Sequence, residues 1–222
     1  MKFLIVILVL WLPVHFINAQ MVSESFQIKG IPADIYWINE PKNWSLTDTE
    51  LSITAGDKTD FFIDPRKEYQ KWNAPAAVFI PDDTFLLSVQ VKVGLHSEYD
   101  AGVLIIYENN TTWAKLCLEL SPAGKPFLVS VVNNKISDDT NHMEISNQYV
   151  FIRIAGLGKK AYALHYSEDG KHWNLLRYFS LESINTPKVG FSSQSPAGDE
   201  CTSVFSNIVY QEKKLNNIRS GN

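Results

Sequence analysis

The chain has 222 residues, with 24 acidic and 20 basic side chains and a formal net charge of −4. A mildly acidic chain with scattered basic residues lacks the basic patch that nucleic-acid binding requires. Two cysteines exclude a scaffold held together by many disulfides, so the fold has to depend on a hydrophobic core.

The first 19 residues have the pattern of a secretory signal peptide. A single positive charge, Lys2, precedes an apolar run from Phe3 to Leu12, and the small residue Ala19 stands before Gln20. The run is shorter than the roughly 20 apolar residues that a membrane-spanning helix needs, although an uncleaved anchor is the alternative. We therefore expect a secreted or periplasmic protein with no membrane segment after cleavage.

From residue 30 to residue 212 the sequence predicts a series of short antiparallel strands. In Phe85–Val93 the odd-numbered residues are all apolar, in Trp113–Leu120 the even-numbered ones are, and Glu168–His172 reads as a hairpin turn. This period of two is typical of half-buried strands, and no window has a sustained helical period. The fold class is therefore an all-β, two-sheet antiparallel sandwich, followed by a polar tail (213–222) that we expect to be frayed.

The two cysteines allow two interpretations. Cys117 lies within a predicted strand and Cys201 lies just before another. They are either one disulfide bridge, if the compartment is oxidising, or two buried free thiols. The sequence leaves both open.

Four segments carry a resemblance to a known family. In chain order they are Thr59–Pro65, Asn73–Pro75, Asp100–Tyr107 with Trp113–Lys115, and Val189–Pro196. They resemble the family DUF1349, a group of concanavalin A-like proteins, over roughly residues 35–210. The third segment is also similar to sandwich domains appended to some β-xylosidases and related glycosidases. The resemblance implies a jelly roll with one convex and one concave sheet, sugar-binding relatives and no settled activity.

No motif predicts a catalytic centre, a metal site or a cofactor. Glycoside hydrolysis needs two carboxyl groups about 5 to 10 Å apart. The acidic pairs, such as Asp82-Asp83 and Asp138-Asp139, fall instead in predicted turns, where acids usually cap backbone amides. The histidines have no metal-ligand spacing, and there is no phosphate loop, nucleophile elbow or dinucleotide fingerprint.

Polar residues at the strand positions opposite the apolar set predict a binding surface. Sugars are bound by aromatic rings and planar polar groups in a pre-formed depression. We predict one site of nine residues on the concave face. Seven are outward strand positions, namely Gln90, Trp113, Lys115, Glu119, Arg153, His165 and Gln194, and Asp60 and Phe61 would rim the site from loops. For Trp113 the alternative is a place in the core. Arg153, between apolar neighbours, is expected to have an acidic partner.

Three functions are compatible with the sequence. The first is an exported carbohydrate-binding or carbohydrate-associated domain for a poly- or oligosaccharide, without catalytic residues. The second is a glycoside hydrolase or lyase whose acids come from Asp100, Glu119 and a loop residue. The third is a protein-interaction domain, which a flat apolar patch in place of an aromatic-rimmed pocket would favour.

Overall fold

A computed structural model describes residues 25–182 and 184–222, so the predicted signal peptide, residues 1–19, lies outside the described residues. The described residues form β-strands and no helix, and therefore none of them belongs to a helix that could cross a membrane. The strands are β1 (Tyr36–Ile38), β2 (Asn43–Leu46), β3 (Glu50–Gly56), β4 (Phe61–Ile63), β5 (Gln70–Trp72), β6 (Ala76–Phe79), β7 (Thr84–Val93), β8 (Ala101–Asn109), β9 (Thr112–Leu120), β10 (Pro126–Asn134), β11 (Ser137–Glu144), β12 (Tyr149–Leu157), β13 (Ala161–Ser167), β14 (Asn174–Ser180), β15 (Lys188–Gln194) and β16 (Glu200–Glu212).

The strands form two seven-stranded antiparallel sheets and one separate hairpin. The front sheet has the order β1-β6-β15-β8-β9-β10-β11, and the back sheet has the order β14-β13-β12-β7-β16-β3-β2. The hairpin consists of β4 and β5. The predicted all-β, two-sheet antiparallel sandwich is confirmed.

The core lies between the two sheets and follows from the alternation of side chains along each strand. The odd-numbered residues of β7 from Phe85 to Val91 are buried in it, as are the even-numbered residues of β9 from Ala114 to Leu118. Successive side chains of a strand point to opposite faces of a sheet, so the intervening residues have to lie on the outer faces. The inward faces predicted for both strands are confirmed.

The β4–β5 hairpin covers one end of the outer face of the front sheet. The ring centroid of Phe61 lies 5.8 Å from that of Tyr107 and 6.0 Å from that of Trp113. The backbone amide of Ile63 donates a hydrogen bond of 2.9 Å to Oγ of Ser137. The hairpin is therefore anchored to the outer face of the front sheet through Phe61 and Ile63.

The C-terminal segment, residues 213–222, covers the outer face of the back sheet. Leu215 is buried there in a small apolar cluster. Nε2 of His165 lies 2.7 Å from the carbonyl oxygen of Ile218, and Nη1 of Arg153 donates to that of Gly221 at 2.8 Å. The expectation of a frayed tail is wrong, because this polar segment offers both an apolar side chain and backbone acceptors to the sheet.

The two cysteines are buried free thiols in strands of different sheets, which settles the alternative left by the sequence. Burial raises the pKa of the Cys117 thiol well above its ordinary value, and burial likewise raises the pKa of Cys201 to about 12. Both therefore remain protonated at neutral pH and act as small apolar residues.

Candidate functional site

A pocket of about 620 Å³ lies on the open part of the outer face of the front sheet; we call it the front-sheet pocket. Its volume is in the range of about 300 to 1,000 Å³ that is usual for small-molecule sites. Val129 and Val131 of β10 provide an apolar floor. The lining residues are Asp60, Phe62, Asp64, Arg66, Glu68, Tyr69, Tyr99, Lys115, Glu119, Ser121, Pro122, Val129, Val131, Asp139, Asn141, Gln194, Pro196 and Ala197.

A buried ion pair holds one side of the pocket together. Nζ of Lys115, whose side chain is 2% exposed, lies 3.1 Å from Oδ1 of Asp60 and donates to Oε1 of Gln194 at 2.8 Å. Nε2 of Gln194 in turn donates to the carbonyl oxygen of Tyr99 at 3.1 Å and to Oε2 of Glu119 at 3.4 Å. The hairpin loop, β9 and the end of β15 are thereby joined by one polar network.

Burial and the neighbouring acids act on the pKa of Lys115 in opposite directions. Burial lowers this pKa because it disfavours the charged ammonium, but the carboxylate of Asp60, through its charge and its hydrogen bond, and smaller effects of neighbouring groups together raise it by more. The net direction is upward, so Lys115 is a permanent cation at neutral pH. An ammonium buried to this extent is tolerated because Asp60 compensates its charge.

Two carboxyl groups of the pocket have pKa values above the ordinary range. Burial raises the pKa of Glu119 to about 8; Lys115 opposes this increase, and Asp60 and Asp139 add to it. Burial also raises the pKa of Asp139. Glu119 is therefore mostly a neutral carboxylic acid at pH 7, able to donate a hydrogen bond or a proton to a group in the pocket.

The raised pKa of Glu119 predicts that stability falls as the pH rises. The folded chain keeps a proton up to about pH 8 that the unfolded chain releases near the ordinary value of 4.5. At about 1.4 kcal/mol per pKa unit, the free energy of unfolding should fall by roughly 2 to 4 kcal/mol between pH 5 and pH 8.5. Urea unfolding at a series of pH values measures this fall. Glu119→Gln should remove most of this fall and leave the part that comes from the raised pKa of Asp139. Glu144→Gln, outside the pocket on β11, should leave the fall unchanged, and an unchanged fall in Glu119→Gln would contradict the assignment.

The hydroxyl of Tyr69 is a further polar group of the pocket. It is buried and makes no hydrogen bond of good geometry to any described residue, although it lies close to the carboxylate of Asp60. Burial raises the pKa of this hydroxyl, and the nearby charge of Asp60 raises it further. A buried hydroxyl without a partner is costly, by about 1 to 3 kcal/mol, and is satisfied when a ligand oxygen or a water accepts from it.

The structure brings together four of the nine predicted site residues. Asp60, Lys115, Glu119 and Gln194 line the front-sheet pocket. Trp113 and Phe61 lie on the same outer face but are 0% and 1% exposed, because the β4–β5 hairpin packs over them. For Trp113 the packing alternative is thus confirmed.

Gln90, Arg153 and His165 do not converge with the other six residues. They lie on β7, β12 and β13, on the outer face of the back sheet, where Arg153 is paired with His165 in register. The prediction that all nine share one face is wrong in this respect. Alternation marks a residue as facing outward, but it does not indicate which of the two sheets carries it.

Arg153 has an aromatic partner where an acidic one was expected. Its guanidinium carbon lies 3.6 Å from the ring centroid of Trp173, and Nε donates to Oγ of Ser88 at 2.7 Å. Among the described residues no carboxylate forms an ion pair with it, and burial lowers its pKa to about 10. The stacking and two hydrogen bonds, the second to Gly221, are sufficient to hold this charge.

Asp100, an acid of the predicted enzyme alternative, has a structural role. It is fully buried, and Oδ2 accepts hydrogen bonds from the backbone amides of His96 and Ser97 at 3.1 and 2.8 Å. Oδ1 accepts from Oγ of Ser195 at 2.7 Å. Its carboxylate closes the loop before β8 and does not line the pocket.

Several pocket residues were not predicted from the sequence: Tyr69, Tyr99, Asp139 and Asn141. Asp139 was interpreted as part of an acidic turn, but it belongs to β11, which is paired in register with β10. β11 has no apolar alternation because it is the edge strand of the front sheet. The long polar run after a predicted strand was the available signal for such an edge strand.

Comparison with known proteins identifies a family match. The sequence profile described as "Protein of unknown function (DUF1349)" matches residues 37–213. Among curated protein sequences none matches the chain. Three of the four segments that carried the resemblance contribute to the buried network, through Asp60, Lys115 and Gln194.

Solved structures with a similar fold include a functionally unknown protein from Saccharomyces cerevisiae, with 21% identity and a TM-score of 0.75, covering 82% of this chain and 97% of that one. Bacteroides ovatus Xyloglucan PUL GH43B has 15% identity and a TM-score of 0.63, and the match covers 91% of this chain and 41% of that one. An engineered GH43 glycoside hydrolase with endo-xylanase and exo-arabinofuranosidase activity has 12% identity and a TM-score of 0.60, and the match covers 90% of this chain and 42% of that one. This chain spans about two fifths of each GH43 chain, and the likeness concerns the fold alone, a concanavalin A-like sandwich.

Proposed function

Since the chain belongs to the DUF1349 family, whose description assigns no function, we propose from the front-sheet pocket itself that this protein is an exported domain that binds an oligo- or polysaccharide. We propose export because residues 1–19 have the pattern of a signal peptide. Saccharide binding is proposed from the residues that line the pocket.

The observation that carries the proposal is the composition of the pocket. Three aromatic side chains, Phe62, Tyr69 and Tyr99, stand around an apolar floor, beside the planar amides of Asn141 and Gln194. A sugar ring has apolar C–H faces and hydroxyl edges, so it needs both kinds of partner in one depression. A flat apolar patch, which would have favoured a protein partner, is not what this face offers.

The network around Lys115 supports the same proposal because it fixes the polar groups before any ligand arrives. Gln194 is held at both ends of its amide, by Lys115 on one side and by Tyr99 and Glu119 on the other. Pre-organised polar groups lose little conformational entropy on binding. The fold likeness to GH43 proteins is compatible with carbohydrate association and adds nothing on which saccharide is bound.

The test is a thermal-shift screen against soluble oligosaccharides, followed by calorimetry on those that raise the unfolding midpoint. Tyr99→Ala should weaken the binding of a hit about tenfold, which corresponds to about 1.4 kcal/mol. Tyr178→Ala is the matched control, since Tyr178 is an exposed tyrosine of β14, at the edge of the back sheet. If no saccharide raises the midpoint, or if both variants weaken binding equally, the proposal is wrong.

A glycoside hydrolase is the second candidate, favoured by the protonated state of Glu119 at neutral pH. The other carboxyl group of the pocket with a raised pKa belongs to Asp139, on β11, two strands away from Glu119 on β9. Val131 of β10 pairs with Asp139 on one side and with Lys115 on the other, so Asp139 is level with Lys115 and four residues away from the level of Glu119. The Cα atoms of Glu119 and Asp139 are roughly 15 Å apart on strand spacings, so the two side chains would have to lean towards each other to reach the 5 to 10 Å between carboxyl groups that hydrolysis needs. We accordingly expect no reducing ends to accumulate when hits of the screen are incubated with the protein, and their accumulation would favour the enzyme.

A further inference from the structure

The positive charges that line the front-sheet pocket are already neutralised. Nζ of Lys115 lies 3.1 Å from Oδ1 of Asp60. Nη2 of Arg66, at the exposed rim, lies 2.9 Å from Oε2 of Glu68, and its Nε lies 3.5 Å from Oδ2 of Asp64. Both cations thus have carboxylate partners, and the three carboxylates outnumber them.

The two remaining carboxyl groups of the pocket are compensated only in part, because Lys115 lowers the pKa of each but both pKa values stay raised. Among the residues that the structure describes, no cationic side chain forms an ion pair with Glu119 or with Asp139. The hydrogen bond from Gln194 to Glu119, at 3.4 Å, is long and comes from a neutral amide. With five carboxyl groups and two cations in its lining, the pocket has a negative net charge even when Glu119 is protonated.

The strand register places these carboxyl groups on opposite sides of the apolar floor. Glu119 is on β9, Asp139 is on β11, and β10 with Val129 and Val131 runs between them. At the usual spacing of about 4.8 Å between strands, β9 and β11 are about 10 Å apart. The register offset of four residues brings the two Cα atoms to roughly 15 Å apart, so an oligosaccharide lying across the floor would present substituents towards both carboxyl groups.

We infer that the front-sheet pocket selects against saccharides that carry a carboxylate and prefers those that carry an amino group. The inference rests on the proposed saccharide-binding function. A uronate would add an anion to a pocket that is already net negative, whereas an ammonium group would pair with Asp139 as a charge-assisted hydrogen-bond donor and would favour the ionised form of Glu119. Discrimination of this kind depends on rejecting the wrong ligand as much as on binding the right one.

The experiment compares three β-1,4-linked tetramers that differ in charge: glucosamine, glucose and glucuronic acid. Calorimetry at pH 6.5 should give the tightest binding for the glucosamine tetramer and the weakest for the glucuronic acid tetramer, at least tenfold apart. A difference of less than threefold between these two, or tighter binding of the acid, overturns the inference.

Charge-neutral variants test whether Glu119 and Asp139 themselves cause the preference for one charge over the other. The double variant Glu119→Gln with Asp139→Asn should keep its affinity for the glucose tetramer while the difference between the charged tetramers falls below threefold. Glu144→Gln, an exposed acid of β11 that pairs with Lys125, is the matched control and should leave the difference unchanged. Discrimination that persists in the double variant overturns the inference.

The outcomes distinguish this inference from the function on which it rests. If the glucose and glucuronic acid tetramers bind equally well, saccharide binding stands and the charge preference falls. If none of the three tetramers binds and the wider screen gives no hit, both proposals are wrong.

Discussion

Lys115→Met is expected to lower the free energy of unfolding by about 3 to 5 kcal/mol at pH 7. The substitution keeps the length of the side chain but leaves the carboxylate of Asp60, whose side chain is 9% exposed, without its cation. It also removes the donor that Oε1 of Gln194 accepts from at 2.8 Å. The cost is therefore dominated by the charge left behind in a buried place, and equilibrium unfolding in urea measures it.

Lys125→Met is the control for this prediction. Lys125 forms an ion pair of 2.8 Å with Glu144, shorter than that of Lys115, but both side chains are about half exposed. Exposed ion pairs contribute about 0 to 1 kcal/mol, so this variant should remain close to the parent. Adding Asp60→Asn to Lys115→Met should recover part of the loss. Equal losses for Lys115→Met and Lys125→Met would show that burial does not determine the energetics of this pair.

The alternation of side chains allowed the core and the outward positions to be predicted from the sequence. Lys115 and Glu119 were assigned to the outer face of their strand because every second neighbour is apolar, and both line the pocket. Arg153 and His165 were assigned outward by the same reasoning, and they also face outward, but from the other sheet. A period of two contains no information on which strands become neighbours, since that is decided by contacts distant in sequence.

The walls of the pocket were harder to predict because they lie on segments without a period. Tyr69 follows the β4 turn and Tyr99 precedes β8, and neither segment has an alternating pattern. Trp113 illustrates the opposite case. It was correctly placed on an outer face, yet it is fully buried because the β4–β5 hairpin folds back over it through Phe61. The burial of an outward residue depends on what covers the sheet.

Gly190→Ala is expected to have the largest effect on the fold, a loss of about 4 kcal/mol or more, which a single substitution rarely causes. A Cβ atom at position 190 would lie 1.9 Å from the carbonyl oxygen of Ala77 and 2.8 Å from Cα of Val78. Both atoms belong to the backbone of β6, so no side-chain rotation can relieve the overlap. β6 is also held on its other side by β1, which limits how far it can move away.

Gly56→Ala is the control, because Gly56 lies in β3 and a Cβ atom there would meet nothing within 4 Å. It should be neutral or slightly stabilising, since alanine loses less conformational entropy on folding than glycine does. Circular dichroism and thermal unfolding of the two variants give the comparison, and similar midpoints would contradict the close approach of β6 and β15.

The close approach of β6 and β15 also affects the pocket. Gln194 is at the end of β15, so a displacement of this strand in any Gly190→Ala protein that still folds should move the amide away from Lys115 and weaken ligand binding as well as stability.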